Sequence, residues 1–481
     1  MGNAQKVGLV LSGGGSSAVA HIGVLKALEE NQIPINYITG TSMGALVGGL
    51  YAAGYSPQEI ETIFLSQQFK DWAEGNLDQK YSYYLREKNE NPSMITFKID
   101  LDKALETNIP TNLTSPTALN YGLMKHFAPS TAAANNNFDS LFIPFRCVAS
   151  DIVSKKPYIF NNGKMATAIR ASMSYPFYLT PVSHQDKLLF DGGLYNNFPS
   201  DVMIRDFNPD YIIGVNVSDN FDLPEEDNLV SQIKRMAADN TDYNIPESVP
   251  STLIEPQNLG FSLFDFTHNK KLIAVGHAST LEKMTEIKSS IEQSVNQKEL
   301  NQKRESYKKT LPSLVFDEVQ VEGMKRNQNK YVSKSIRIKK DSLSIDEIEP
   351  EYIKVSSDDK ISALYPEAKL NTLTQKFTLK LKARKGKDLF VSFGGVFSSR
   401  PINEAYIGLQ YNILDKTAVS LLAETYFGKL YNSVSGGVRF DFPFTIPFYW
   451  KTTFTIDGWD YFKSRVSFFE DTKPSFLVIN D

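Results

Sequence analysis

NYITGTSMGALVGGLYAAG, residues 36–54, is the stretch on which the fold turns. Asn36 to Thr39 has the β-rich character of a short strand, and the small and apolar residues from Met43 to Ala53 make a helix. The chain therefore passes from strand to helix at Ser42. Gly40-Thr41-Ser42-Met43-Gly44 is a G-x-S-x-G pentapeptide. Its glycines, Gly40 and Gly44, permit the tight turn of a nucleophile elbow, which lifts a serine hydroxyl above the end of a sheet. Five residues alone are a weak signal; the strand before and the helix after give them weight.

Working outward, Lys6 to Leu11 (KVGLVL) is a second β-rich run, and it breaks into Ser12-Gly13-Gly14-Gly15-Ser16-Ser17. Ala18, Ile22, Leu25 and Leu28 then recur at helical spacing, giving one buried face. The order strand, loop, helix, strand, turn, helix predicts an α/β domain with a mainly parallel central sheet between covering helices, a three-layer arrangement. Gly54 stops the second helix, and Ser56-Pro57-Gln58-Glu59 opens a third with a serine cap and a proline at the first position. Residues 66–135 mix Phe69, Trp72, Tyr81, Tyr83 and Tyr84 with charges, which reads as a cap inserted over a site or as ordinary surface helices. Phe145–Ala149 and Tyr211–Val217 are candidates for further central strands. Met284, Ile287, Ile291 and Val295 mark a closing amphipathic helix.

A chain of 481 residues exceeds what one core organises. From Lys298 to Lys309 (KELNQKRESYKK) the apolar face is lost, which places a boundary near residue 311. Phe316–Gly323 and Phe377–Ala383 alternate as strands with other material between them, a small α+β module. After Gly386, the segments 389–397, 405–413, 418–426 and 433–442 alternate at the length of a tilted membrane-spanning strand. Phe442, Phe444, Phe448, Trp450, Trp459, Tyr461 and Phe462 crowd the later part. A soluble antiparallel sheet is the competing reading of this segment. The predicted organisation is a domain at 1–310, a module at 311–386 and five or six strands over 387–481, short of the roughly eight that close the smallest membrane barrels.

With 51 Lys and Arg against 55 Asp and Glu, a net charge of −4 excludes the basic footprint of a nucleic-acid binder. One cysteine, Cys147, excludes an intramolecular disulfide framework, and five histidines without close spacing argue against a metal centre. No cofactor is implied. No apolar run reaches the about 18 residues of a membrane-crossing helix, a test that a β-barrel escapes. Met1-Gly2-Asn3 leads almost directly into a strand; a cytoplasmic protein follows if that start is native, and a mature start is the other option.

Two further elements carry chemistry. Gly13, Gly14 and Gly15 stand at a helix entrance, where free backbone N–H groups favour an anion, so they form a candidate oxyanion hole. A phosphate cradle competes, but the spacing matches neither of the common nucleotide-binding glycine patterns. Asp191-Gly192-Gly193 follows the strand-like Lys187 to Phe190, and the turn lets the aspartate reach back over the sheet end towards Ser42. A Ser-His-Asp triad would require His268 or His277, the two histidines after Asp191.

Taken together, GLVLSGGG (8–15), AHIGVL (20–25), GTSMGALVGGLYAAG (40–54), AIRASMSYPF (168–177) and DGGLYNNFP (191–199) resemble the patatin-like phospholipases in the family's own order. The resemblance implies a serine hydrolase acting on phospholipids or other lipid esters. Ser42 would be the nucleophile, Asp191 the general base, and the amides of residues 13–15 the oxyanion donors. One departure stands out: Ser17-Ala18 occupy the place of the family's basic residue and glycine. With the α+β module and the alternating strands, the whole resembles the bacterial outer-membrane patatins, which join the hydrolase to a POTRA module and a surface-antigen β-barrel. That implies attachment to the outer membrane through the C-terminal strands, with the hydrolase periplasmic or extracellular, and leaves a homodimer open. The alternative is a weak or inactive hydrolase domain on a barrel protein with a binding or translocation role.

Overall fold

The computed structural model describes residues 5–77, 91–99, 113–218, 226, 240–257, 262–336, 342–396, 403–429, 431–443, 448–460 and 476–480. The chain forms two compact units, one of residues 1–76, 111–315 and 367–377, the other of 77–110, 316–366 and 378–481.

In the first unit the strands are β1 (Val7–Leu11), β2 (Tyr37–Thr41), β4 (Phe145–Asp151), β5 (Lys156–Phe160), β6 (Val182–His184), β7 (Lys187–Asp191), β8 (Tyr211–Val215) and β9 (Ser251–Ile254). Its helices are α1 (Ala20–Glu30), α2 (Met43–Ala52), α3 (Pro57–Phe64), α4 (Gln67–Glu74), α5 (Thr117–Ala133), α6 (Met165–Ser172), α7 (Ser200–Phe207), α8 (Asn269–Ser290) and α9 (Gln297–Thr310). The sheet order is β6-β7-β4-β2-β1-β8-β9, with β5 on the other side of β4. The central pairs β1/β2, β1/β8, β2/β4 and β8/β9 are parallel, while β5, β6 and β7 run antiparallel to their neighbours. Every residue of β1, β4 and β8 is buried, as strands covered on both faces must be. The predicted mainly parallel α/β domain is observed. The glycine loop enters α1 through a single 3-10 turn, Gly15–Val19.

α3 starts on the serine cap read from the sequence: Ser56 accepts from the Glu59 amide, and the Glu59 carboxylate accepts from the Ser56 amide. α9 is polar along its length, yet it is docked and not a linker. Arg304 is 2 % exposed and ion-paired with the buried Glu29, while Lys308 pairs with Glu59 at 2.7 Å. The expected result of Arg304→Ala is a loss of about 3–5 kcal/mol, because Glu29 is left buried without its cation. A fall of several degrees in the thermal midpoint of the first unit checks it.

The second unit takes in β3 (Ser93–Ile99) and, apart from residues 315, 367–371 and 376–377, β10 (Val315–Glu322), β11 (Leu343–Ser344), β12 (Ile361–Asn371), β13 (Lys376–Lys385), β14 (Leu389–Val396), β15 (Glu404–Leu414), β16 (Ala418–Gly428), β17 (Tyr431–Phe442), β18 (Phe448–Asp460) and β19 (Phe476–Asn480), with helices α10 (Arg326–Ser335) and α11 (Ile345–Ser356). Strands β10 to β13 form a four-stranded sheet in the order β11-β10-β13-β12, which with α10 and α11 makes the predicted α+β module. Phe316, Val332, Ile348, Val355 and Leu379 are buried in this unit.

β14 to β19 form an antiparallel meander, and β3 is added at the β14 edge, so the sheet has seven strands. Two expectations change here. The stretch 66–135 is not one cap: α4 and α5 belong to the first unit, whereas β3 pairs with β14, Phe97 opposite Val391. The first domain is accordingly interrupted at 77–110 and is not continuous over 1–310. Tyr81, Tyr83, Tyr84, Phe444, Tyr461 and Phe462 lie outside the described residues.

Candidate active site

Sheet register brings the two halves of the site together. Thr41 of β2 pairs with Val148, and Asp191 of β7 pairs with the next residue, Ala149, along the same edge of β4. The strand end that carries Ser42 and the strand end that carries Asp191 are thus neighbours, although 149 residues separate them in sequence. Ser42 has φ 53° and ψ −126°, a strained conformation for a residue with a side chain. Gly40 and Gly44 give the turn its room: a Cβ on Gly40 would stand 2.8 Å from the Gly44 carbonyl oxygen, and one on Gly44 would collide with the carbonyls of Leu11 and Ser12.

Ser42 Oγ donates to Asp191 Oδ2 at 2.6 Å, and the Gly193 amide donates to Asp191 Oδ1 at 2.8 Å. Asp191 is 4 % exposed. Burial is the dominant influence on its carboxyl and pushes it from the ordinary 3.8 up to about 7, against the lowering effect of the Ser42 and Gly193 hydrogen bonds. A carboxylate in that range can take a proton near neutral pH, which a solvated one cannot do to useful extent.

The three loop glycines are not equivalent. Gly14 and Gly15 line the cavity beside Ser42, and among the described residues no acceptor is paired with their amides. The Gly13 amide instead donates to the Asn197 carbonyl at 3.1 Å, which takes it out of the set of free donors. The expected three-amide hole is corrected on this point, because Gly13 is spent on anchoring the loop. Gly15 has φ +55°, and Ser16 next to it is held by two bonds, its amide to the Leu263 carbonyl and its hydroxyl to the Ser262 carbonyl, both 2.8 Å. The loop is therefore fixed without a cation at Ser17, which is itself buried.

The cavity above Ser42 encloses about 1050 Å³, its open mouth included. Phe69 and Trp72 of α4, Leu119 of α5, and Tyr178, Phe264 and Phe266 form an apolar wall. Tyr178 and Phe264 stack with centroids 3.6 Å apart, and Phe69 meets Phe266 edge-on at 5.3 Å. Near the glycine loop the lining is polar but uncharged: Asn197, Ser218, Thr241 and Tyr243. Phe264, Phe266 and Asn197 escape sequence reading because their segments carry no periodicity; the only hint is the aromatic spacing in Phe261-Ser262-Leu263-Phe264-Asp265-Phe266. Phe69 and Trp72 take the place the cap reading gave them.

No histidine lines this cavity among the described residues. His277 Nε2 lies 2.7 Å from the Glu30 carboxylate on the outside of α8, and His268 is half exposed beside Asp265. Neither of the two histidines that a triad would require is placed beside Ser42.

A serine hydroxyl on a strained elbow, bonded to a buried carboxylate beside glycine amides that line an apolar cavity, is the arrangement that fits the serine esterase class. Residues 9–204 match the family described as patatin-like phospholipase, so this part of the chain is a patatin-like phospholipase domain. It is 34 % identical over 204 residues to a patatin-like phospholipase domain-containing protein of Caenorhabditis elegans, covering 42 % of this chain and 13 % of that one. It is also 29 % identical over 214 residues to the lysophospholipase nte1 of Aspergillus fumigatus, covering 44 % and 12 %. The chain thus spans about an eighth of the length of these relatives. Among solved structures, VipD from Legionella pneumophila aligns over 59 % of this chain and 67 % of its own at 14 % identity, with a TM-score of 0.31 too low to bear on the fold.

Proposed function

We propose that the protein is a lipid acyl hydrolase that cleaves acyl esters through Ser42 and Asp191. The observation that carries this reading is the 2.6 Å bond from Ser42 Oγ to a carboxylate that burial has made basic, at the floor of an apolar cavity. Asp191 takes the proton as Oγ attacks the ester carbonyl carbon. The Gly14 and Gly15 amides stabilise the negative oxygen of the tetrahedral intermediate, each donor being worth a few kcal/mol in such a site. Asp191 then gives the proton to the departing alcohol. Water, deprotonated by the same carboxylate, then attacks the acyl-enzyme carbonyl carbon, and Asp191 returns that proton to Ser42 Oγ as the bond to the acyl group breaks and the fatty acid leaves. The relative named lysophospholipase supports a phospholipid or lysophospholipid ester as substrate. The direct test supplies mono- and diacyl glycerophospholipid in mixed micelles and measures free fatty acid. Release is the expected result; no release from either, at any pH between 6 and 9, overturns the reading.

The second part of the proposal places the C-terminal strands in an outer membrane, as a POTRA-like module and a surface-antigen-like partial barrel. The register of the seven-stranded sheet supports it. Ile95, Phe393, Ile407, Thr425, Val434 and Ile456 lie in one row across six strands, and Phe97, Val391, Leu409, Ala423, Gly436 and Phe454 in the next row of the same face. Both rows are without charge, yet Phe97 is 56 % and Val434 60 % exposed. The opposite face carries Lys98, Gln410, Glu424, Arg439 and Asp457. An apolar outward face backed by a polar one is the pattern of a membrane barrel wall, and β15 to β18, at 11 to 13 residues, have the length to cross. Hydrocarbon is the occupant that an uncharged face of this width fits. Val434→Lys is expected to cost up to roughly 4 kcal/mol of insertion stability, seen as loss of protein from the carbonate-resistant membrane fraction; unchanged recovery contradicts this placement.

A further inference from the structure

The last turn of α6 touches both halves of the site without facing the cavity through a reacting atom. Ser172 is fully buried. Its Oγ accepts the Ser42 backbone amide at 2.8 Å and donates to the Val148 carbonyl at 2.5 Å, so its single proton and the lone pair that faces Ser42 are both committed. Two residues on, the Ser174 carbonyl accepts the Asp191 amide at 3.0 Å. Val148 is the β4 residue paired with Thr41, and its carbonyl abuts Gly192, the residue after Asp191. Ser174 Oγ in turn receives a hydrogen bond from the buried Arg170 at 2.7 Å, which fixes this turn to the helix before it.

The Ser42 amide needs such a partner. At φ 53° the residue lies outside the helix it caps, and its N–H is taken up by the Ser172 hydroxyl. A buried N–H without an acceptor costs about 1–3 kcal/mol, and it would add to the strain already stored at the elbow. A relaxed elbow moves Oγ away from Asp191.

We infer that Ser172 is a positioning residue for the nucleophile: its hydroxyl clamps the strained Ser42 elbow onto β4, and with the Ser174 carbonyl it sets the spacing between Ser42 and Asp191. The inference rests on the hydrolase reading for its kinetic consequence but not for the clamp itself. Ser172 neither meets substrate nor transfers a proton. Removing its oxygen therefore affects turnover through geometry, and leaves substrate binding in the apolar cavity intact.

The test compares the full chain with its Ser172→Ala variant by amide hydrogen exchange over residues 37–50 and by steady-state hydrolysis. The expected result is exchange at the elbow faster by about tenfold, matching a loss of one buried hydrogen bond, with kcat lowered roughly 10- to 100-fold and KM nearly unchanged. Ser172→Thr, which keeps the hydroxyl, restores both; if the alanine variant does not fold, Ser172→Cys is measured in the same way. Wild-type exchange in the alanine variant overturns the clamp, and faster exchange with unchanged kcat overturns its positioning role. A wild-type protein that hydrolyses no ester overturns the function proposed above, while exchange still reports on the clamp.

Discussion

Ser42→Ala is expected to lower ester turnover by at least about 10⁴-fold while leaving the fold intact, because it removes the cavity-lining hydroxyl bonded to Asp191 Oδ2. The remaining activity would be that of the glycine amides and the apolar wall acting on water. Asp191→Asn is expected to cost roughly 10²–10⁴-fold. The amide cannot accept the Ser42 proton, and it sets an N–H₂ against either the Ser42 hydroxyl or the Gly193 amide, both of which donate to the carboxylate. Free fatty acid release, with circular dichroism to show that each variant is folded, checks both. A turnover loss under tenfold in Ser42→Ala would mean that the reacting group lies elsewhere.

The second large effect is on pH. Asp191 works as a base only when ionised, and its carboxyl is pushed up to about 7, so log kcat/KM should rise with unit slope below that value and level off above it. Stability runs the other way. The folded-state pKa is raised above the unfolded one, so between 3.8 and about 7 the folded protein holds a proton that the unfolded chain has released. The contribution is complete below the lower value, declines across that window, and is absent above the upper one. Its size is a few kcal/mol, at about 1.4 kcal/mol per pH unit. Other carboxylates titrate in the same range, so the measurement is the difference between wild type and Asp191→Asn: thermal midpoints followed from pH 4 to pH 8 should lose ground in the wild type relative to the variant. Parallel curves would show that Asp191 ionises as an ordinary aspartate.

What the sequence makes legible is local. The elbow at Ser42 is visible because G-x-S-x-G, its strand and its helix lie within twenty residues, and the Ser56 capping box is likewise a matter of four neighbours. Asp191 could be nominated from its turn, but its approach to Ser42 depends on consecutive β4 residues, Val148 and Ala149, holding two different strand ends. Register of that kind has no short-range signature. The same reason hides β3: Ile95 finds its partner at Phe393, nearly three hundred residues away, so the segment reads as part of its own neighbourhood. α9 misleads differently. Its contact with the body is built around the buried Arg304–Glu29 pair, with Leu300 and Tyr307 as the apolar residues packed on the core, so a hydrophobic-face criterion sees mostly a charged linker. Gly13, last, is indistinguishable from Gly14 and Gly15 by residue type; the Asn197 carbonyl on its amide is what sets it apart.

The two units also differ in how physical chemistry constrains them. In the first, strands buried on both faces and the Ser42–Asp191 pair sit in one core, so substitutions there read out as stability or turnover. In the second, the apolar rows containing Val434 and Phe454 are exposed, so under the membrane placement proposed above their effect is read in a membrane and not in dilute buffer.

An active-serine phosphonate offered to the folded protein, followed by peptide mass spectrometry, tests the central claim most directly. The account requires a single adduct on Ser42, formed faster as pH rises through about 7 and abolished by Ser42→Ala. Folded protein that carries no adduct on Ser42, or that carries it on another serine at equal rate, would contradict it.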